Sequence, residues 1–580
     1  LLVSSRYFKT PLYAAFFCVF LNACKVSGPP TDIAVAQCPD RTTSIAAVQG
    51  DAYESPLAGE QVTLQGIVTL IQQGLGFYLE EPGSDDDVQT SNAVFIQHAQ
   101  PLADTKQGSL LSVRGEVTEI GESRDTLTAL SNTTDLVVCS AGNPLPLTVI
   151  SLPLDGPGRE ALEGMRVLID DKLVVSGVYQ FEQGKFTLSA NGVQYVPTEV
   201  MQPGPATNDL MAQNRAAALP VLLPGDMKSP ALVVNGTSTN RLTGVMAHDK
   251  RGKRLTIESI SGFSTPYIEV PTATPPETLR IVGMNLHNYF NGDGNGLGFP
   301  TPRGAKTIEA FQQQRSRIGA AIGVLDPHVI AVMELENDGF GPDSAAQDFI
   351  QLANDASHEP WTVTRPVADN TGTDQIAVGI FYRSDRLKAI GPAHTLEGEV
   401  FKRSRQPQAQ LFQHLPDGEK LLIVINHLKS KGSCPDSGVN ANQKDGQGCW
   451  NDMRRIAAEK MSAWAKEIAA SNGTENILIL GDMNAYRNED PIGSIRDAGF
   501  IELMERGPLP TYSFVYAGQR GTLDYAFSSD ALLGKVQKAY IWNVNAAFPS
   551  KVALPQTWLG FSDHDPVVVE LRLRHSSTSD

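Results

Sequence analysis

From residue 30 to 145 short apolar runs alternate with turn residues. EQVTLQGIVTLI, GFYLEE, AVFIQ, SLLSVRGEVTEI and DLVVC are separated by Gly, Asp and Ser, and several β-runs at this spacing predict a small all-β barrel or sandwich. Residues 146–270 have the same texture. There LEGMRVLIDDKLVVSGVYQFEQGKFTLSANG partly echoes LAGEQVTLQGIVTLIQQGLGFYLE, which raises a degenerate second β module that one echo does not prove. PTATPPETLR at 271–280 reads as a proline-rich hinge. Beyond it the period changes: apolar strand-like runs alternate with helical patterns such as TIEAFQQQRSRIGAAIGVL and WNDMRRIAAEKMSAWAKEIAAS, the texture of an α/β domain. In the second of these Ile456, Lys460, Trp464 and Ile468 recur at helical spacing beside Met461, so Met461 and Trp464 are expected in the core and not at a cofactor.

Polar clusters punctuate the apolar runs of this last half. Asn285 lies in IVGMNLHNYF, Glu334 in VIAVMELEND, Asp482 and Asn484 in ILILGDMNAY, and Asp563 and His564 in GFSDHDPVVVEL. A run such as ILIL is too apolar for a half-exposed strand and fits a buried sheet, so carboxylates at its end sit on a rigid rim. Charged groups there need a reason. The economical one is a divalent metal with oxygen ligands beside a histidine that moves a proton near neutral pH.

Read in order with His427 in IVINHLKSKG and Asp524 in GTLDYAF, these motifs closely resemble the endonuclease/exonuclease/phosphatase family, which includes the pancreatic deoxyribonuclease-like enzymes. The resemblance spans roughly 276–573. G-D-x-N alone would be weak, but joined to N-H-x-K-S-K-G and a terminal S-D-H-x-P-V it is specific. The NHLKSKG form, the cysteines soon after it and the β-rich front half are most similar to the extracellular nucleases of bacteria, whose catalytic domain follows an OB-like domain. The resemblance implies two packed sheets flanked by helices, an α-β-β-α sandwich over 281–573, preceded by OB-like all-β structure over 24–145 and a second β-rich module over 146–270. It also implies metal-dependent hydrolysis of phosphodiesters in DNA, or RNA, with endonucleolytic cleavage as the first reading.

Hydrolysis of a phosphodiester requires an activated water, neutralised phosphoryl oxygens and a stabilised leaving oxygen. By resemblance Glu334, with Asn285 and Asp563, is the magnesium or manganese site. His564 is the base or the group that orients water and phosphate, and Asp524 orients its imidazole. Asp482 orients the water, Asn484 donates to the phosphoryl group, and His427 is a second catalytic histidine, with Asp374 a looser candidate to orient it. Glu336 is expected near the ion but not on it. The loop NGDGNGLG at 291–298 offers Asn291, Asp293 and Asn295 to calcium but lacks the acidic residue of a twelve-residue EF-hand loop, so calcium is not supported by a clear motif. Phe77, Tyr78 and Phe95 either stack bases, as in other OB-folds, or fill the core.

At 580 residues the chain is expected to form two or three domains. Its start reads as an export signal: Arg6 and Lys9, an apolar run from Leu12 to Leu21, then Leu-Asn-Ala-Cys, which resembles a lipoprotein box with cleavage before Cys24. The expectation is an exported protein with a lipoprotein signal over 1–23, anchored to a bacterial envelope membrane by lipid on Cys24 or released extracellularly, with an ordinary signal peptide and a chance cysteine as the alternative. The remaining cysteines number four, and pairing within proposed domains gives Cys38 with Cys139 and Cys434 with Cys449. A net charge of −17 argues against gripping nucleic acid by overall charge and leaves that to the metal and a local groove. Arg315, Arg403, Arg405, Lys429 and Lys431 are the candidates for that groove, each with a solvated surface charge as its alternative. Two other functions stay open: a phospholipid head-group phosphodiesterase of the same fold, and a surface binding protein whose catalysis has lapsed.

Overall fold

The computed structural model describes residues 38–573 except 40–41, 84–86, 100–104, 122–125, 226–232, 250–251, 368–371, 403, 505–510 and 550–556. Cys24 and the signal segment lie outside the described residues, as does Arg403.

Five strands close the first barrel in the order Gln61–Gln72, Gly76–Glu80, Ala93–Gln97, Leu127–Ser140, Leu110–Ile120, with the last pairing back onto the first. Period-two alternation sends Val62, Leu64, Leu111 and Val113 inward. Cys38 is bonded to Cys139, which ties the approach segment to the fourth strand in this order. Phe77, Tyr78 and Phe95 are buried, and the Tyr78 hydroxyl accepts the His248 amide at 3.0 Å, so these rings are core and present no face to a base.

Residues 148–261 form an open eight-stranded sheet, not a second barrel, so the sequence echo is no repeat of architecture. Buried charge joins it to the barrel: Arg166 N donates to Glu80 at 2.8 Å, and Glu163 takes Thr128 N at 2.9 Å and Lys253 at 3.0 Å. It is joined as firmly to the catalytic domain. Gln194–Tyr195 pairs in parallel with Gln519–Gly521, and Glu199 accepts from Thr522 N at 2.9 Å. The proline-rich segment is no free hinge, since Thr272 O and Pro276 O accept from Arg280 and Arg386.

The catalytic domain has two six-stranded sheets. Ile281, Ala331, Ile423 and Leu480 meet between the sheets, while Val282 and Ile330 pack outward with the Ile308–Leu325 and Ala345–Ser357 helices. Leu422, Val424 and Ile479 pack against the Asn451–Ser471 helix, including Met461, with Trp464 partly buried beside it. Both faces of each central strand are thus covered, which is why runs such as ILIL are apolar throughout. The result is an α-β-β-α sandwich. Among the described residues no helix is long and apolar enough to cross a membrane.

Candidate active site

Strand pairing places three polar residues abreast. Lys420–His427 runs parallel to Ile477–Asp482 with His427 opposite Asp482, and Asp482 is in turn opposite Asp524 of the antiparallel Asp524–Ser528 strand. Gly481 makes the close approach possible: at φ +144° a Cβ there would collide with the Asn426 carbonyl oxygen. His564 arrives from the loop before Val567–Leu571, a strand of the other sheet, and its Nδ1 lies 2.7 Å from Asp524 Oδ2. His427 Nε2 lies 3.3 Å from Asp482 Oδ2. All four side chains are buried.

The supports of the two pairs differ. Asp524 Oδ2 also accepts the Ser513 hydroxyl at 2.7 Å, and Phe514 lies against the His564 ring with centroids 4.6 Å apart. Asp565 fixes the His564 loop by accepting the Val544 and Asn545 amides, while Asn545 Nδ2 donates to His564 O at 2.6 Å. Asp482 Oδ1 accepts the Asn484 amide at 2.8 Å, and Asn484 Nδ2 donates to Leu428 O at 3.1 Å. The sequence motifs did not single out Ser513, Asn545 or Asp565. Asp565 alone carried a signal, as the second aspartate of S-D-H-D-P.

Electrostatics follow from these surroundings. Burial opposes charge on His564, but Asp524, Asp482 and Asp563 together outweigh it and raise its pKa well above the usual histidine value. Burial lowers the pKa of His427 well below that value, and the positive charge of Arg405 and His564 adds to the shift. Burial, with Asp524, pushes Asp482 up to about 7 against the opposing pull of His564 and Arg405.

On the first sheet Asn285 pairs in register with Met333, and both strands lose register just beyond. Glu334 there has φ +62°, a bulge conformation that takes it out of simple alternation. Asn285 Oδ1 accepts the His287 amide at 2.9 Å, and His287 Nδ1 lies 3.3 Å from half-exposed Asp563. His287 therefore links two expected metal ligands, a role the sequence did not suggest. Among the described residues, Asp482, Asp524 and His564 are the acidic and histidine group whose ligand atoms lie within 4.8 Å of one another. Asp524 Oδ1 is buried without a hydrogen-bond partner, and this oxygen-rich donor set fits a hard divalent cation. The glycine loop at 291–298 closes on itself, with Asp293 Oδ1 taking the Asn295 and Leu297 amides.

Several expectations need correction. Asp374 does not orient His427: it pairs with Arg303 at 3.3 Å and Arg405 at 3.7 Å, and Asp482 stands beside His427 instead. Arg405 is buried, donates to Leu428 O at 2.7 Å and feels Asp374, Asp482 and Glu334, so it belongs to the site and not to a surface groove. Arg315 is held by Asp348 at 3.1 Å, which also takes the Tyr289 hydroxyl, and so pins two helices. Lys431 spends its donors on both Glu489 oxygens at 2.6 Å and on Gln447 O at 2.8 Å. Lys429 is partly buried, with its ammonium 5.3 Å from the Trp450 ring centre and 3.2 Å from Ser430 O. These side chains build the loop after His427 and the helix layer; they do not form a basic surface stripe.

A structure from Bacteroides vulgatus described as an endonuclease/exonuclease/phosphatase is similar at 15% identity and TM-score 0.34, covering 51% of this chain and 99% of its own. A Bacteroides thetaiotaomicron family structure gives 14% identity and TM-score 0.36 over 51% of this chain and 97% of that one, and the human Nocturnin catalytic domain gives 13% and 0.33 over 51% and 95%. No curated protein matches the chain. Residues 290–564 match the model of the Endonuclease/Exonuclease/phosphatase family, whose members act as phosphodiesterases, phosphatases and nucleases. The match lies within the α-β-β-α sandwich and leaves the barrel and the middle sheet outside it.

Proposed function

We propose that the protein is an exported, divalent-metal-dependent nuclease that hydrolyses phosphodiesters of DNA, and also RNA where single strands are offered. The observation that carries this reading is the row His427, Asp482, Asp524 and His564, two histidine–carboxylate pairs of opposite charge state within one buried site. Asp482, with its proton affinity near neutrality, orients the attacking water and takes its proton. His564, held as an imidazolium by Asp524, donates to a phosphoryl oxygen, the second of the two roles its motif suggested. Neutral His427 and Asn484 complete the hydrogen bonding around the phosphate.

Magnesium or manganese would be held by Glu334, Asn285 and Asp563, with the unpartnered Asp524 Oδ1 a further oxygen open to it; when bound it would neutralise phosphoryl charge and lower the pKa of water. Export is supported by the two disulfides, which persist in oxidising compartments. The lipid on Cys24 and the membrane it would engage belong to the same reading. Intact mass of the mature protein tests it, with an unmodified terminus at another residue overturning the anchor.

The functional test offers circular DNA, linear DNA, RNA and sphingomyelin to the purified protein with magnesium, with manganese and with chelator. Cleavage of circular DNA that stops on chelation and returns with magnesium is expected. Hydrolysis of sphingomyelin with no cleavage of either nucleic acid overturns the nuclease reading in favour of the lipid one.

A further inference from the structure

A cleft of about 770 Å³ lies between the middle sheet and the catalytic domain. Its inner end is formed by His287 and Asp563, next in the chain to His564, so it opens directly beside the proposed reacting phosphate. Gln313 and Arg317 of the Ile308–Leu325 helix form one wall, and Arg317 is fixed there by donating to Gly560 O at 3.0 Å. The other wall is a hairpin of the middle sheet, Leu173–Gln180 with Lys185–Ser189. Its inward residues, Val178 and Phe186, are 6% and 4% exposed and hold it to the core, whereas Tyr179 on the opposite face is 83% exposed. A large ring this exposed does nothing for the core of its own sheet.

We propose that this cleft binds the single-stranded nucleotides flanking the scissile phosphodiester, with Tyr179 stacking on a base. The inference rests on the nuclease reading and extends it to the substrate's form. Stacking on an aromatic side chain is open to every base and requires the base to be unpaired. The cleft's charge favours base contact over a grip on phosphates: among the described residues Glu182 and Asp563 line it along with Arg317 and His287, so a polyanion gains little there by charge alone. The amide of Gln313 suits a base edge, since it carries donors and an acceptor. The middle sheet would then be part of the substrate site, consistent with its strand pairing to Gln519–Gly521.

The test compares wild type, Tyr179→Ala and Tyr179→Phe on a single-stranded oligonucleotide, a duplex of the same sequence and bis-nitrophenyl phosphate, a diester too small to fill the cleft. Direct binding of the labelled single strand is measured in a His564→Ala background to prevent turnover. For Tyr179→Ala, KM and Kd for the single strand should rise roughly ten-fold, the scale of one lost stacking contact, with the small diester unaffected and Tyr179→Phe near wild type. Unchanged single-strand KM and Kd in Tyr179→Ala, or equal losses on the small diester, overturn the cleft while leaving the nuclease reading intact. A wild-type enzyme that hydrolyses the small diester but neither nucleic acid overturns the reading and the cleft together.

Discussion

Two histidine–carboxylate pairs of the same composition sit side by side in this site and carry opposite charge states. His564 faces Asp524 at 2.7 Å, with two further aspartates favouring its proton. His427 faces Asp482 at 3.3 Å, but the cations Arg405 and His564 stand close, and burial is no longer offset. One pair is therefore an imidazolium with a carboxylate, the other a near-neutral pair sharing proton affinity. A histidine beside an aspartate does not have a fixed role; the neighbours one contact further out assign it.

If the charged pair carries the main catalytic weight, His564→Ala should lower turnover on the order of 10²- to 10³-fold, or roughly 3–4 kcal/mol of barrier, the scale of a lost charged donor to the phosphoryl oxygen. Adding Asp524→Asn should then cost little more, because an orienting carboxylate is useless without its imidazole. Kinetics of the single and double variants on plasmid DNA check this, and fully additive losses would break the pairing.

His427→Ala should cost less, about 10- to 100-fold, the scale of a hydrogen bond from a neutral donor to a charged group. A loss equal to that of His564→Ala would erase the asymmetry between the pairs.

The pH profile sharpens the comparison further. Activity should rise with pH as Asp482 ionises near 7, then fall in the alkaline range as His564 loses its proton. Asp524 favours the imidazolium and also raises the pKa of Asp482, so Asp524→Asn should move both the alkaline fall and the acid limb to lower pH. An alkaline fall that stays in place would mean that Asp524 does not hold the imidazolium.

The smallest effect belongs to Arg405→Gln. Removing the guanidinium should raise the pKa of His427, read by NMR titration of its imidazole. No movement would mean that burial and the remaining cations, His564 first, hold His427 neutral without Arg405.

The residues of the row were legible because their chemistry sits at the ends of continuous apolar runs. ILIL must be buried on both faces, so a carboxylate at its end lands on a rim, and G-D-x-N, N-H-x-K-S-K-G and S-D-H-x-P-V each mark one rim position. The cysteine pairs were legible for a related reason: each joins residues within one stretch of like texture, and the structure bonds Cys38 to Cys139 and Cys434 to Cys449. Cation partners were not. Lys431 and Arg315 look like surface charges in a linear text, and only the approach of Glu489 and Asp348 fixes them in place. Asp374 had the right residue type to serve His427, but Arg303 and Arg405 stand nearer and take it.

The sequence by itself determined an α/β domain with polar residues at the ends of buried strands, since apolar periodicity decides which strands are buried and local motifs decide what stands at their ends; the two-sheet sandwich was implied only by the family resemblance. The tertiary structure decided everything that depends on distance between remote segments. It set which carboxylate meets which histidine and how Ser513 and Asp565 brace the His564 side. It also closed the first β stretch into a barrel and left the second an open sheet pinned to the catalytic domain through Glu199. Coulomb and hydrogen-bond energies fall off over a few ångströms, so they are fixed by packing, on which spacing along the chain is silent.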